Sequence, residues 1–148
     1  MPSGYAAVRA EINATLEGPD LNLRRIKRGI ADLAGNPNSN AGKALFQDGY
    51  LIRPTSMAIG PYMQLLSTER AFGFEIYTGL TIGADYDESF DILLERVEII
   101  IQKFHDCNAN IPSAKIVTLA APVTFTAVQE TPDQVYALMP YSCVYRMD

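Results

Sequence analysis

Residues 85 to 106 read DYDESFDILLERVEIIIQKFHD: six carboxylates between Asp85 and Glu98, then the chain's one histidine, His105. Paired carboxylates can do general acid–base work, and a histidine beside Asp106 and Cys107 could begin a metal site. The apolar residues between the acids argue against both. Phe90, Leu93, Leu94, Val97, Ile100, Ile101 and Phe104 recur at i, i+3, i+4, i+7, i+10, i+11 and i+14, which makes one greasy side of a long helix. Ile92 and Ile99 broaden that side. Glu95 and Glu98 fall on the opposite, polar side, as a solvated or intersubunit face. Asp85 and Glu88 have the spacing of a capping box, and acids in a first helical turn suit the positive end of the helix dipole. His105 belongs to the last turn, where a cation suits the negative end, and no second histidine exists to share a metal with it.

The other chemical candidates are thinner. GNPNSNAGKA mimics a phosphate loop ending in Gly-Lys. Six residues separate Gly35 from Gly42 where four are needed, and Ala44 stands where a hydroxyl should hold magnesium. No GxSxG or HExxH occurs. Cys107 and Cys143 lie far apart without CxxC spacing and read as reduced, partly buried thiols. The sequon at Asn13 falls within a predicted helix and reads as chance. The residues therefore predict no enzyme, no cofactor and no metal centre.

Charge is distributed unevenly. The chain's formal net charge is −5, and residues 85 to 98 alone carry six acids against Arg96, also a net of −5. Arg24, Arg25, Lys27 and Arg28 make a basic cluster in NLRRIKRGI. Opposite patches on a small protein suit self-association or docking to charged neighbours. Specific nucleic-acid binding fits less well, since Asp32 follows the cluster and no aromatic platform accompanies it.

These residues need elements to position them. A helix is predicted from Tyr5 to Leu16, with Val8, Ile12 and Leu16 on one face, and Gly18-Pro19 ends it. Asp20 is predicted to cap a second helix through Leu23, Ile26, Ile30 and Leu33, with the basic cluster on its back. Residues 35 to 43 read as a loop or arm, and Asn38, Asn40 and Lys43 on it are candidate partner contacts, with Arg24, Arg25, Lys27, Arg28, Glu95 and Glu98. GYLIRP reads as a short strand ended by Pro54, and PTSMAIGP as irregular. ERAFGFEIYTGLTI alternates as a half-buried strand, with Phe72, Phe74 and Ile76 on one face and Gly73, Glu75 and Tyr77 on the other. After the long helix, KIVTLAAPVTFTAV and QVYALMPYSCVYRM are strand-rich runs. Pro122 and Pro140 would place both at sheet edges or bulges. The order α, α, β, β, α, β, β predicts one α+β domain over 1–148. Its mixed or antiparallel sheet of about four strands is packed by one long helix, with one or two N-terminal helices. No run approaches the ~20 apolar residues of a membrane span, and MPSGYAAVRAEI lacks the layout of a secretory signal, so assembly in the cytosol is expected.

An N-terminal helix, a long loop, a strand with ERAFGFEIYT, the helix ESFDILLERVEIIIQKF and two late strands ending YALMPYSCVYRMD resemble the tail terminator proteins of long-tailed bacteriophages. Related tail-completion and neck proteins at the head–tail joint share the pattern. The similarity covers roughly residues 45 to 148 and carries no catalytic fingerprint. It implies a virion protein forming a homo-oligomeric ring, commonly of six subunits. The ring caps the tail tube protein, meets the head–tail connector protein, and lets genome DNA through without specific binding or membrane contact. An adjacent connector or tail-completion ring, a cytosolic oligomeric binding module, and an enzyme with an unrecognised site stay open as alternatives.

Overall fold

The structure is a computed structural model that describes residues 4–26, 45–59, 68–128 and 131–146. Helix α1, Gly4–Leu16, buries Val8, Ile12 and Leu16 as their spacing predicts. The chain then departs from expectation. Asn22 has φ 52, in the left-handed region that Asn tolerates, and the Leu23 N–H returns to the carbonyl of Leu16. No helix starts at Asp20. Arg24–Arg25 instead forms strand β1, parallel to Gly49 and Tyr50. The reason lies in burial: Leu23 enters one apolar cluster and Ile26 another, whereas a helix would have put both on one side. The rest of the predicted second helix lies outside the described residues.

Strand β2, Gln47–Ile59, runs through Pro54 rather than stopping there, so the stretch expected to be irregular is strand as far as Ile59. Pro54 pairs with Phe74 and Ser56 with Gly73, leaving Thr55 as an extra residue. This bulge lets the strand bend past the proline. Strand β3, Glu69–Thr81, is antiparallel to β2 and is more than half-buried. Phe72, Phe74 and Ile76 enter the main core, and Tyr77 on the opposite face is buried in a second cluster with Ile26, Leu45, Phe46 and Leu51. Phe46 lies flat enough on the sheet that a Cβ at Gly79 would come within 2.7 Å of its ring.

Helix α2, Tyr86–His105, starts where its cap predicts, with Asp85 Oδ1 accepting the Glu88 N–H at 3.1 Å. The short helix α3, Cys107–Asn110, leads into β4, Ala114–Leu119. β5, Thr124–Val128, and the long β6, Thr131–Arg146, follow. The described residues thus form an α+β fold with a mixed six-stranded sheet ordered β1-β2-β3-β6-β4, and β5 also paired to β6. Four strands were expected. The additional ones are the two-residue β1 and the separate β4 and β5, into which the run around Pro122 divides.

Pro140 is not on a sheet edge, because β6 pairs with β3 on one side and with β4 and β5 on the other. Its carbonyl accepts from Ala120 N–H on the β4 side. Its missing N–H therefore faces the gap where β4 hands over to β5, and no bond to β3 is lost. α2 packs on the face of the sheet that carries Phe74 and Tyr141. Those two rings stack at 5.8 Å, and Phe104 meets Tyr141 edge-on at 4.9 Å.

Candidate assembly surfaces

The inner side of α2 is set by Leu93, Val97, Ile100 and Phe104, all buried, while Phe90, Leu94 and Ile101 are only partly buried. Its outer side carries Asp87, Glu88, Asp91, Glu95 and Glu98, all exposed. None of these five makes an ion pair among the described residues. Ile92 lies exposed among them, and Tyr86, also exposed, stacks on Phe90 at 5.7 Å. The candidate residues Glu95 and Glu98 are thus an unneutralised acidic face on a helix that packs against β3 and β4.

The candidate residues Arg24 and Arg25 are exposed on β1, at the β2 edge of the sheet, and they too make no ion pair among the described residues. Among the described residues, these arginines and acids are therefore not paired with one another. Lys27, Arg28, Asn38, Asn40 and Lys43, and with them the predicted arm at 35 to 43, lie outside the described residues.

Arg96 behaves differently from the acids around it. Its position, three after Leu93 and four before Ile100, puts it on the buried side. One guanidinium nitrogen donates to Thr78 Oγ1 at 3.2 Å and to the Gly79 carbonyl at 2.8 Å. The other meets Asp48 Oδ1 at 2.7 Å. Burial pulls the pKa of Arg96 down, and the carboxylate of Asp48 acts in the opposite direction. Arg96 thus ties α2 to β3 and to the start of β2, where Asp48 has a φ of 60. Its helical phase was the available signal, and counting it only as a charge concealed that role.

Replacing Arg96 with Met should lower stability by about 2 kcal/mol, since the Gly79 carbonyl and Thr78 hydroxyl lose a buried donor. The loss falls short of the ~3–5 kcal/mol of a fully buried broken pair, because the Asp48 side chain is 66% exposed and stays hydrated. Urea midpoints of Arg96→Met, Asp48→Asn and the double variant test this. Equal losses for both single variants would contradict it.

Between α2 and β4 lies an apolar cleft of about 310 Å³, lined by residues that include Ile101, His105, Cys107, Ile116, Leu119 and Tyr141. Both cysteines are free thiols and buried. Burial pushes the Cys143 thiol up to about 12, which keeps it protonated and poorly nucleophilic. No group of three or more His, Cys, Asp or Glu side chains placed to hold a metal occurs among the described residues. No described helix is long and apolar enough to cross a membrane. In comparisons with known proteins, no family model and no curated protein matches this chain.

Proposed function

We propose that this chain is a structural subunit of a long-tailed phage particle, forming a ring that ends the tail tube and joins it to the head connector. The observation that carries the reading is electrostatic: among the described residues, exposed arginines on the edge strand β1 and an exposed acidic face on α2 both lack ion-pair partners. A contact between unlike patches is head-to-tail, and it closes into a ring when its rotation permits. A neighbouring connector or tail-completion ring shares this support. The 310 Å³ cleft favours a second reading, an oligomeric module that binds a small apolar ligand.

Reversing Arg24, Arg25 and Arg28 to Glu together should leave the fold intact and weaken assembly. Exposed ion pairs contribute only ~0–1 kcal/mol each, so the combined change is the informative one, and added salt should mimic it. Supplied to a phage whose own joining protein is missing, the wild-type chain should restore joined heads and tails, and the triple variant should restore few. Counting joined particles by electron microscopy decides the matter. Failure of the wild-type chain to restore joining would remove the tail assignment.

A further inference from the structure

We infer that the free edge of β4 takes an extended apolar segment of a partner protein as an added strand, with one of its side chains in the cleft between α2 and β4. The inference does not depend on the tail reading above.

The backbone of β4 determines what its edge can hold. Among the described residues, β4 pairs with β6 alone, so one side of Ala114–Leu119 is open. Ala120 N–H donates to the Pro140 carbonyl. Alternation then turns the backbone groups of Ile116 and Thr118 toward β6 and those of Val117 and Leu119 away from it. Another extended backbone offers donors and acceptors at the same interval, which is how open edges template strand addition. Edges that stay single usually carry a guarding charge, often lysine. Lys115 is the one charged residue of β4, and it is drawn across β6 to Glu69, Nζ to Oε2 at 3.0 Å. The unguarded remainder includes Ile116, which is 51% exposed.

The cleft specifies the side chains of the added strand. Val117 and Leu119 pair with Cys143 and Tyr141 on the helix side of the sheet, whereas Ile116 and Thr118 pair with Val144 and Ser142 on the other. All four of these β4 residues line the one cleft, together with Ile101 and Cys107. Consecutive residues from both faces line a single hollow where it runs along the backbone between them, so the cleft follows the open edge. A strand laid there points alternate side chains toward Ile101 and Cys107 on one face and toward Ile116 on the other. The helix side calls for an apolar residue and the Ile116 side for β-branched ones, with no proline at the bonded positions.

A second copy of this chain fits less well. Antiparallel pairing of β4 with β4 would bring only Val117 and Leu119 to the cleft side, and both already pack in or against their own core. Neither can fill the neighbour's cleft. The cleft needs a side chain from a strand with no core of its own to fill.

Capped peptides Gln-Thr-Leu-Thr-Gln, with Leu replaced in turn by Phe, Asp or Lys, test this on the full chain. Fluorescence anisotropy should show the Leu and Phe peptides binding about tenfold or more tighter than the other two, because the central side chain enters apolar surroundings. Methylating the peptide nitrogens that face β4 should abolish binding, and methylating those that face away should not. Amide exchange at Val117 and Leu119 should slow in the complex, while that of Thr124–Val128 stays unchanged. Ile116→Lys is expected to unfold in urea like wild type, and by restoring a guarding charge it should weaken binding of the Leu peptide.

Equal binding of all the peptides, binding indifferent to the site of methylation, or unchanged exchange at Val117 and Leu119 would each overturn the inference. So would the absence of binding by any peptide at millimolar concentration. Exchange at Val117 and Leu119 that slows with the concentration of the chain itself, without peptide, would make a second copy the occupant and would overturn it too.

Discussion

Ile100→Asp should yield no folded protein. Ile100 is fully buried near the middle of the inner side of α2, within the main core. A carboxylate there has no donor to meet it and must either stay charged in an apolar site or take up a proton at neutral pH. Either route costs several kcal/mol, on top of the lost Ile packing of ~2–5 kcal/mol. Domain stabilities of ~5–15 kcal/mol leave little after such a loss. Leu94 and Ile101 belong to the same sequence stripe but are only partly buried, so aspartate at those positions can turn outward and should cost less. Glu95→Gln, on the exposed side, should leave the urea midpoint nearly unchanged. Circular dichroism and urea unfolding rank the four variants. A folded Ile100→Asp protein, or one more stable than Leu94→Asp, would mean that the core side of α2 is misassigned.

That ranking shows which parts of the fold are local and which are not. α2 was legible because its stripe and its Asp85 cap lie within one continuous stretch. α1 was legible for the same reason. The residues after α1 misled because Leu23 and Ile26 have helical spacing, yet their burial partners come from distant strands on two faces of one sheet. Pro54 looked like a stop because nothing in the sequence marks the bulge at Thr55, which exists only in the register against β3. Pro140 looked like an edge because its harmless position depends on where β4 ends and β5 begins. Arg96 entered only as a charge in the count, since the group that meets it, Asp48, lies 48 residues away. Of the candidate contact residues, the acids and arginines announced themselves by composition.

The chain should lose stability steeply above about pH 9, and three buried groups contribute most to that slope. Burial raises the pKa of Cys143 from 9.0 to about 12 and pushes Tyr50 and Tyr141 well above their ordinary 10.0. Each keeps its proton in the folded chain at a pH where the unfolded chain gives it up. The stability from holding the neutral form is fully present below the unfolded pKa and is lost as pH rises toward the folded one. The limiting slope is about 1.4 kcal/mol per pH unit for each group. Cys143 alone therefore accounts for a loss on the order of a few kcal/mol, beginning near pH 9. The tyrosines add to it above pH ~10.

Urea midpoints taken across this range should fall later in Cys143→Ala and less steeply above pH 10 in Tyr141→Phe. The two tyrosines should separate at neutral pH. The Tyr50 hydroxyl donates to Asn13 Oδ1 at 2.8 Å, so Tyr50→Phe strands a buried acceptor and should cost ~1–3 kcal/mol. The Tyr141 hydroxyl has no partner among the described residues, so in the isolated subunit Tyr141→Phe should be neutral or slightly stabilising. If all three variants followed the wild-type pH curve, the alkaline loss would have to arise elsewhere in the chain.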